Sequence, residues 1–192
     1  MSGGMGGKGN GSRKSVCVVH TGAEEVFTVR RFREYGSQPG LGFDFHEIVD
    51  ELAPLSEEAV ARLRPLSIER MSHCDYLMVL AGDRTSQLAG SGLQAVLSAL
   101  YMRRPVIVVN LDGERHCDPT RLPLVLEGKL FLCISSELPI LDYALDSWRD
   151  EAYRLLTMNQ SYAAVYPDEL YSTVLGEQDL TDAPIPSQRF GN

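Results

Sequence analysis

The chain has 192 residues, 44% hydrophobic and 23% charged, proportions that exclude a wholly disordered or fibrous protein and suit one globular domain with a sizeable core. A formal net charge of −8 argues against a surface built to attract phosphate backbones, so nucleic acid is not an expected partner. The longest apolar runs, residues 106–111 and 130–134, are strand length and far short of the roughly 20 residues that span a bilayer, so no membrane partner is expected.

Residues 1–14 are Gly/Ser-rich with Lys8, Arg13 and Lys14 and lack an apolar segment, which reads as a flexible tail rather than a secretory leader. Residues 15–20 (SVCVVH) form a β-branched apolar run ending at Thr21-Gly22, the pattern of a buried strand entering a turn. Over residues 24–35, Val26, Phe27, Val29, Phe32 and Tyr35 fall near helical spacing, with acidic residues in the first turn and Gly36 past the end. Residues 36–42 are a turn-rich loop. Residues 43–49 (FDFHEIV) then alternate like a strand near a sheet edge.

A second helix begins around Ser56-Glu57-Glu58 and runs over residues 59–71, where Pro65 is expected to kink or divide it. Residues 75–82 (DYLMVLAG) make a continuous apolar strand with a Gly stop, and residues 91–103 a helix with Leu93, Val96, Leu97 and Leu100 on one face. Residues 105–111 (PVIVVNL) and 129–135 (KLFLCIS) are further buried strands, and residues 139–158 a closing helix. Strands apolar on both faces that alternate with helices indicate a parallel sheet covered by helices, hence a doubly wound five-stranded α/β domain over residues 15–160. Residues 161–192 carry tyrosines and three prolines without a sustained period, and a partly ordered C-terminal tail is expected there.

The four cysteines lie far apart, and Cys17 and Cys133 fall in strand runs where a small buried thiol fits, so a reducing cytoplasm is the simplest setting. His73-Cys74 and His116-Cys117 resemble halves of a zinc site. The first precedes the third strand and the second follows the fourth, which puts them at opposite sheet ends, roughly 20 Å apart at about 3.3 Å per residue. No metal site is expected.

In open α/β sheets, ligands bind outside the carboxyl ends of the strands, where helix N-termini offer free backbone N–H groups. The loops in question are residues 20–24, 82–86 and 110–113, and none carries a Rossmann fingerprint or a P-loop. His20, Thr21 and Gly22 on the first loop and Gly82, Arg84 and Thr85 on the second are the candidate nucleotide-binding residues. Arg84 could pair with a phosphate and Thr85 donate to one; alternatively Thr85 caps a turn and Arg84 is solvated. His20 is either an acid or base near neutrality or a hydrogen-bonded crevice histidine.

Residues 15–137 resemble the TIR-like domains of the Thoeris type. The resemblance lies in a strand with an acidic turn (SVCVVHTGAEE), an aromatic-rich second strand (GLGFDFHEIVDEL), and a helix feeding a strand that ends in Gly82 with Thr85 three residues on (IERMSHCDYLMVLAGDRTS). A helix leading to a basic pair and a strand follows (SGLQAVLSALYMRRPVIVVNL). The resemblance implies a flavodoxin-like sheet of order 2-1-3-4-5, a role in immune or anti-phage signalling, and NAD as substrate or ligand, with no tightly bound cofactor. It also implies assembly as a homo- or hetero-oligomer with other TIR-like or effector proteins.

Counting from Gly82 and back from Arg103-Arg104 puts Gln94 where the family's catalytic Glu stands. Gln keeps the size and hydrogen bonds but not the charge that would stabilise an oxocarbenium-like transition state. The aromatic residue found four positions earlier in the family is Gly90 here, and the Ser before it is Leu88. NAD glycohydrolase or cyclase activity would need another carboxylate, such as Glu24 or Glu47. Alternative readings are a catalytically silent TIR-like adaptor or interaction module, and a nucleoside deoxyribosyltransferase-like enzyme, whose turn into a strand Arg103-Arg104-Pro105 also fits.

Overall fold

The computed structural model describes residues 13–22, 25–38 and 43–176. In chain order the elements are β1 (Lys14–His20), α1 (Val26–Gly36), β2 (Phe43–Val49), α2 (Glu57–Ser72), β3 (Tyr76–Ala81), α3 (Ser91–Tyr101), β4 (Val106–Asn110), β5 (Phe131–Ser135), α4 (Leu138–Thr157), β6 (Ala163–Val165) and α5 (Asp168–Leu175). The strands form one sheet of order β2-β1-β3-β4-β5-β6, every neighbouring pair parallel.

Strand alternation explains why the central runs are apolar throughout. In β3, Tyr76, Met78 and Leu80 point to one face and pack with Val29 and Phe32 of α1 and Ile140, Leu141 and Leu145 of α4. Leu77, Val79 and Ala81 point to the other and pack with Met71 of α2 and Ala95, Val96 and Ala99 of α3. Both faces are therefore covered, as a doubly wound sheet requires. Buried polar tips are matched: the Tyr76 hydroxyl donates to the Leu145 carbonyl at 2.7 Å, and Trp148 Nε1 donates to the Val106 carbonyl at 3.1 Å.

The sheet has six strands rather than the expected five. β6 adds to β5 in register Phe131↔Ala163 to Cys133↔Val165, and α5 follows, with Tyr171 buried and its hydroxyl accepting from the Ser135 amide at 3.1 Å. Three residues of an edge strand, two of them alanines and two of them exposed, leave little periodic signal. The ordered part of the C-terminal stretch thus extends the domain. The expectations for residues 1–12 and 177–192 lie outside the described residues, while Arg13 and Lys14, read as tail, are engaged: Arg13 pairs with Asp44 at 2.7 Å and Lys14 with Asp146.

Pro65 does not divide the second helix; Glu57–Ser72 is one run, opened by Ser56, whose side chain accepts from the Ala59 amide. Pro65 and Ala61, whose carbonyl the proline leaves without its helical donor, are both exposed, so water can meet that carbonyl. Cys17 and Cys133 are fully buried strand residues, as expected. Cys133, however, is joined in a disulfide to Cys117, because the long β4–β5 connection folds back over β5 and brings their Cα atoms to 5.9 Å. Among the described residues no helix is long and apolar enough to cross a membrane.

Candidate functional site

The sheet order reverses between β1 and β3, so the crevice of a doubly wound fold opens at the carboxyl ends of these two strands. The structure brings together there His20, Thr21, Gly22, Gly82, Arg84 and Thr85, the loop residues that the sequence singles out.

His20 is wholly buried at the end of β1, and its Nε2 donates to Glu47 Oε1 of β2 at 2.8 Å. Since a carboxylate only accepts, Nε2 carries the proton, and Nδ1 has no hydrogen-bond partner among the described residues. The other Glu47 oxygen accepts from Arg33 of α1 at 2.8 Å. Burial by itself would raise the Glu47 carboxyl, but the hydrogen bonds and charges of His20 and Arg33 outweigh it and hold the group below its ordinary value. The result is a His20–Glu47–Arg33 cluster that fixes the imidazole.

Thr21 and Glu25 seal the first loop. The Thr21 hydroxyl donates to Glu25 Oε1 at 2.9 Å, and both residues are buried. Gly22, with φ of 139°, turns the chain in a region that side chains rarely tolerate. Across the crevice, a Cβ on Gly82 would stand 2.8 Å from Glu25 Oε1, so the bare glycine backbone lets that carboxylate close against the β3 exit.

Thr85 is fully buried, and its hydroxyl accepts from the Gly82 amide and donates to the Leu80 carbonyl, both at 2.9 Å. The hydroxyl proton is therefore committed to the turn. Arg84, one residue earlier, is exposed and pairs with no carboxylate among the described residues. Arg121, from the β4–β5 connection, binds Asp112 and reaches Asp83 at 3.5 Å, tying the loops after β3 and β4 together.

The residue that most shapes this end is Asp50, just past β2, which the sequence does not mark. It is fully buried, and its Oδ2 accepts from the amides of Gly90, Gly92 and Leu93 at 2.8, 2.8 and 3.2 Å. Its Oδ1 accepts from Leu52 at 2.7 Å and Ala89 at 3.4 Å. The opening turn of α3 has unpaired N–H groups and the positive end of the helix dipole, and an internal carboxylate sits there in place of a ligand anion. Close approach requires the glycines: a Cβ on Gly92 would stand 2.8 Å from Val19 Cγ1 and 2.9 Å from Asp50 Oδ2, and one on Gly90 3.3 Å from Asp50 Oδ2. A glycine at position 90 thus has a local cause. A Gly-x-Gly at a helix start was the available signal; the acid that fills it lies about forty positions away and could not be named.

Gln94 stands elsewhere. It is buried on α3 and lines a groove of about 360 Å³ between α2 and α3 with Val60, Arg64, Ile68, Leu97 and Tyr101. No protein-family model matches the chain, and no curated protein matches it. Among solved structures it is similar to the N-terminal domain of a response regulator/sensory box/GGDEF 3-domain protein from Carboxydothermus hydrogenoformans, at 13% identity and a TM-score of 0.41, over 76% of this chain and 98% of that one.

Proposed function

We propose that the chain is a catalytically silent TIR-like adaptor or interaction module of an immune or anti-phage signalling type, working in the cytoplasm. The observation that carries this reading is the filling of the α3 N-terminus by Asp50. The amides best placed to hold a nucleotide phosphate already have a carboxylate, and any phosphate brought there would meet its charge. Two further features agree with it. Position 94 is a neutral Gln facing the α2–α3 groove, and the Thr85 hydroxyl proton is spent within its own turn. The α2–α3 face also presents Leu97 and Tyr101 to solvent, a surface suited to assembly with another copy or an effector. In a reducing cytoplasm the Cys117–Cys133 bond would stand open for much of the time.

Incubating the full chain with NAD⁺, with and without a crowding agent, tests the silent reading. Neither the parent nor Gln94→Glu should release nicotinamide; release by the parent that Gln94→Ala leaves unchanged would overturn it and point to another carboxylate. A second reading, nucleotide binding without turnover, is favoured by Arg84, which stands exposed at the crevice with no carboxylate partner among the described residues. Under it, NAD⁺ or ADP-ribose raises the melting temperature of the parent but not of Arg84→Ala.

A further inference from the structure

At the amino end of the sheet, away from the crevice, sits a second concentration of chemistry. The chain's other two cysteines, Cys17 and Cys74, are both free and buried. The peptide leaving α2 is clamped to the start of β1, since the Asp75 amide donates to the Ser15 carbonyl at 2.7 Å and the Ser15 amide to Asp75 Oδ2 at 2.9 Å. This places Cys74 beside Ser15, whose hydroxyl donates to the Cys74 sulfur at 3.7 Å. Cys17 is two residues further along β1 and so points to the same face as Ser15, and it packs with Cys74 in one buried cluster.

Cys74 is also reachable. It lines a cavity of about 440 Å³ together with His46, Leu66, Glu69, Arg70 and His73, room for a small molecule. The charges around it are Arg104, which favours the thiolate, and Asp75, which opposes it. The neighbouring Cys17 thiol, then the Ser15 hydroxyl and Arg104, outweigh burial and bring the Cys74 thiol down to about 7, while the same neighbour and burial push Cys17 up. Of the two, Cys74 is the sulfur more readily deprotonated.

We propose that Cys17 and Cys74 form a peroxide-oxidisable dithiol, in which Cys74 is the attacking sulfur and Cys17 the resolving one. The co-reactant is a small hydroperoxide entering by the His46–His73 cavity. The Cys74 thiolate attacks one peroxide oxygen, the O–O bond breaks, and the leaving oxygen takes a proton to depart as water or an alcohol, leaving a sulfenic acid on Cys74. Cys17 then gives up its proton and attacks the Cys74 sulfur; the S–O bond breaks, water leaves, and a disulfide remains. Two thiols lose two electrons and the peroxide is reduced by two. The product joins β1 covalently to the α2–β3 junction.

Mass spectrometry of the full chain tests this. The protein is exposed to hydrogen peroxide at neutral pH, its remaining thiols are blocked, and it is digested without reduction. The expected product is a peptide containing Cys17 linked to one containing Cys74, reversed by a dithiol reductant. Cys74→Ser abolishes the link, and Cys17→Ala leaves a dimedone-reactive sulfenic acid on Cys74. In Cys17→Ala the pH midpoint of Cys74 alkylation moves from about 7 toward the ordinary 9.0. The proposal is overturned if wild-type protein keeps both thiols under excess peroxide, or if Cys74 proceeds to a sulfinic acid with no linked peptide. The wild-type experiment needs no variant to fold, and its result is independent of any NAD chemistry at the opposite end of the sheet.

Discussion

At the carboxyl end of the sheet, Asp50 accepts from the amides that open α3, and Thr85 both accepts from Gly82 and donates to Leu80. At the amino end, the Cys74 sulfur accepts from the Ser15 hydroxyl beside an open cavity, with Cys17 in the same buried cluster. The first arrangement spends polar groups on structure; the second leaves a cysteine at a cavity wall, where the proposed oxidation would act. In this chain the end where the fold class usually binds ligands is stabilised from within, and fold class alone is therefore a poor guide to where the chemistry lies.

The largest test of that contrast is Asp50→Ala. Removing the carboxylate leaves five buried or half-buried amides without their acceptor, and chemical denaturation should show a loss of about 3–5 kcal/mol. A loss within experimental error would mean that Asp50 is not the structural anion of this helix. Added phosphate that restores stability to this variant alone would show the vacated helix start to be a latent anion site.

Gly92→Ala comes next. Its methyl would press on Val19 and Asp50 at 2.8–2.9 Å, and the expected cost is about 1–3 kcal/mol by the same measurement. Thr85→Val keeps the shape but strips both hydrogen bonds from the β3 turn, for about 1–2 kcal/mol, whereas Thr85→Ser should lose much less. A destabilisation equal for Ser and Val would show that the methyl, not the hydroxyl, matters.

The smallest effect is in the pH dependence of the His20–Glu47–Arg33 cluster. The Glu47 carboxyl is held below its ordinary 4.5 in the folded chain, so its contribution is complete above that value and is lost as pH falls through the lower folded pKa. Glu47→Gln should flatten the acid limb of a stability-versus-pH curve there. An unchanged limb would show that Glu47 gains nothing from its two partners.

By itself the sequence determined the parallel sheet, its β2-β1-β3-β4-β5 order under the TIR-like resemblance, and the loops that meet at its carboxyl end. Runs such as residues 76–81 and 106–110 are apolar at every position, which only a strand covered on both faces requires, and glycines mark where such strands stop. β6 escaped notice because a short edge strand of small residues carries no period. Only the tertiary structure decided which polar groups meet. Asp50 finds amides about forty positions away, His20 finds Glu47 across a strand pair, and Cys74 packs with Cys17 across two helices and a strand. Local pattern reflects which face of an element is buried, whereas the partner of a buried polar group is set by the register and crossing of elements distant along the chain, and that register exists only once the whole sheet has assembled.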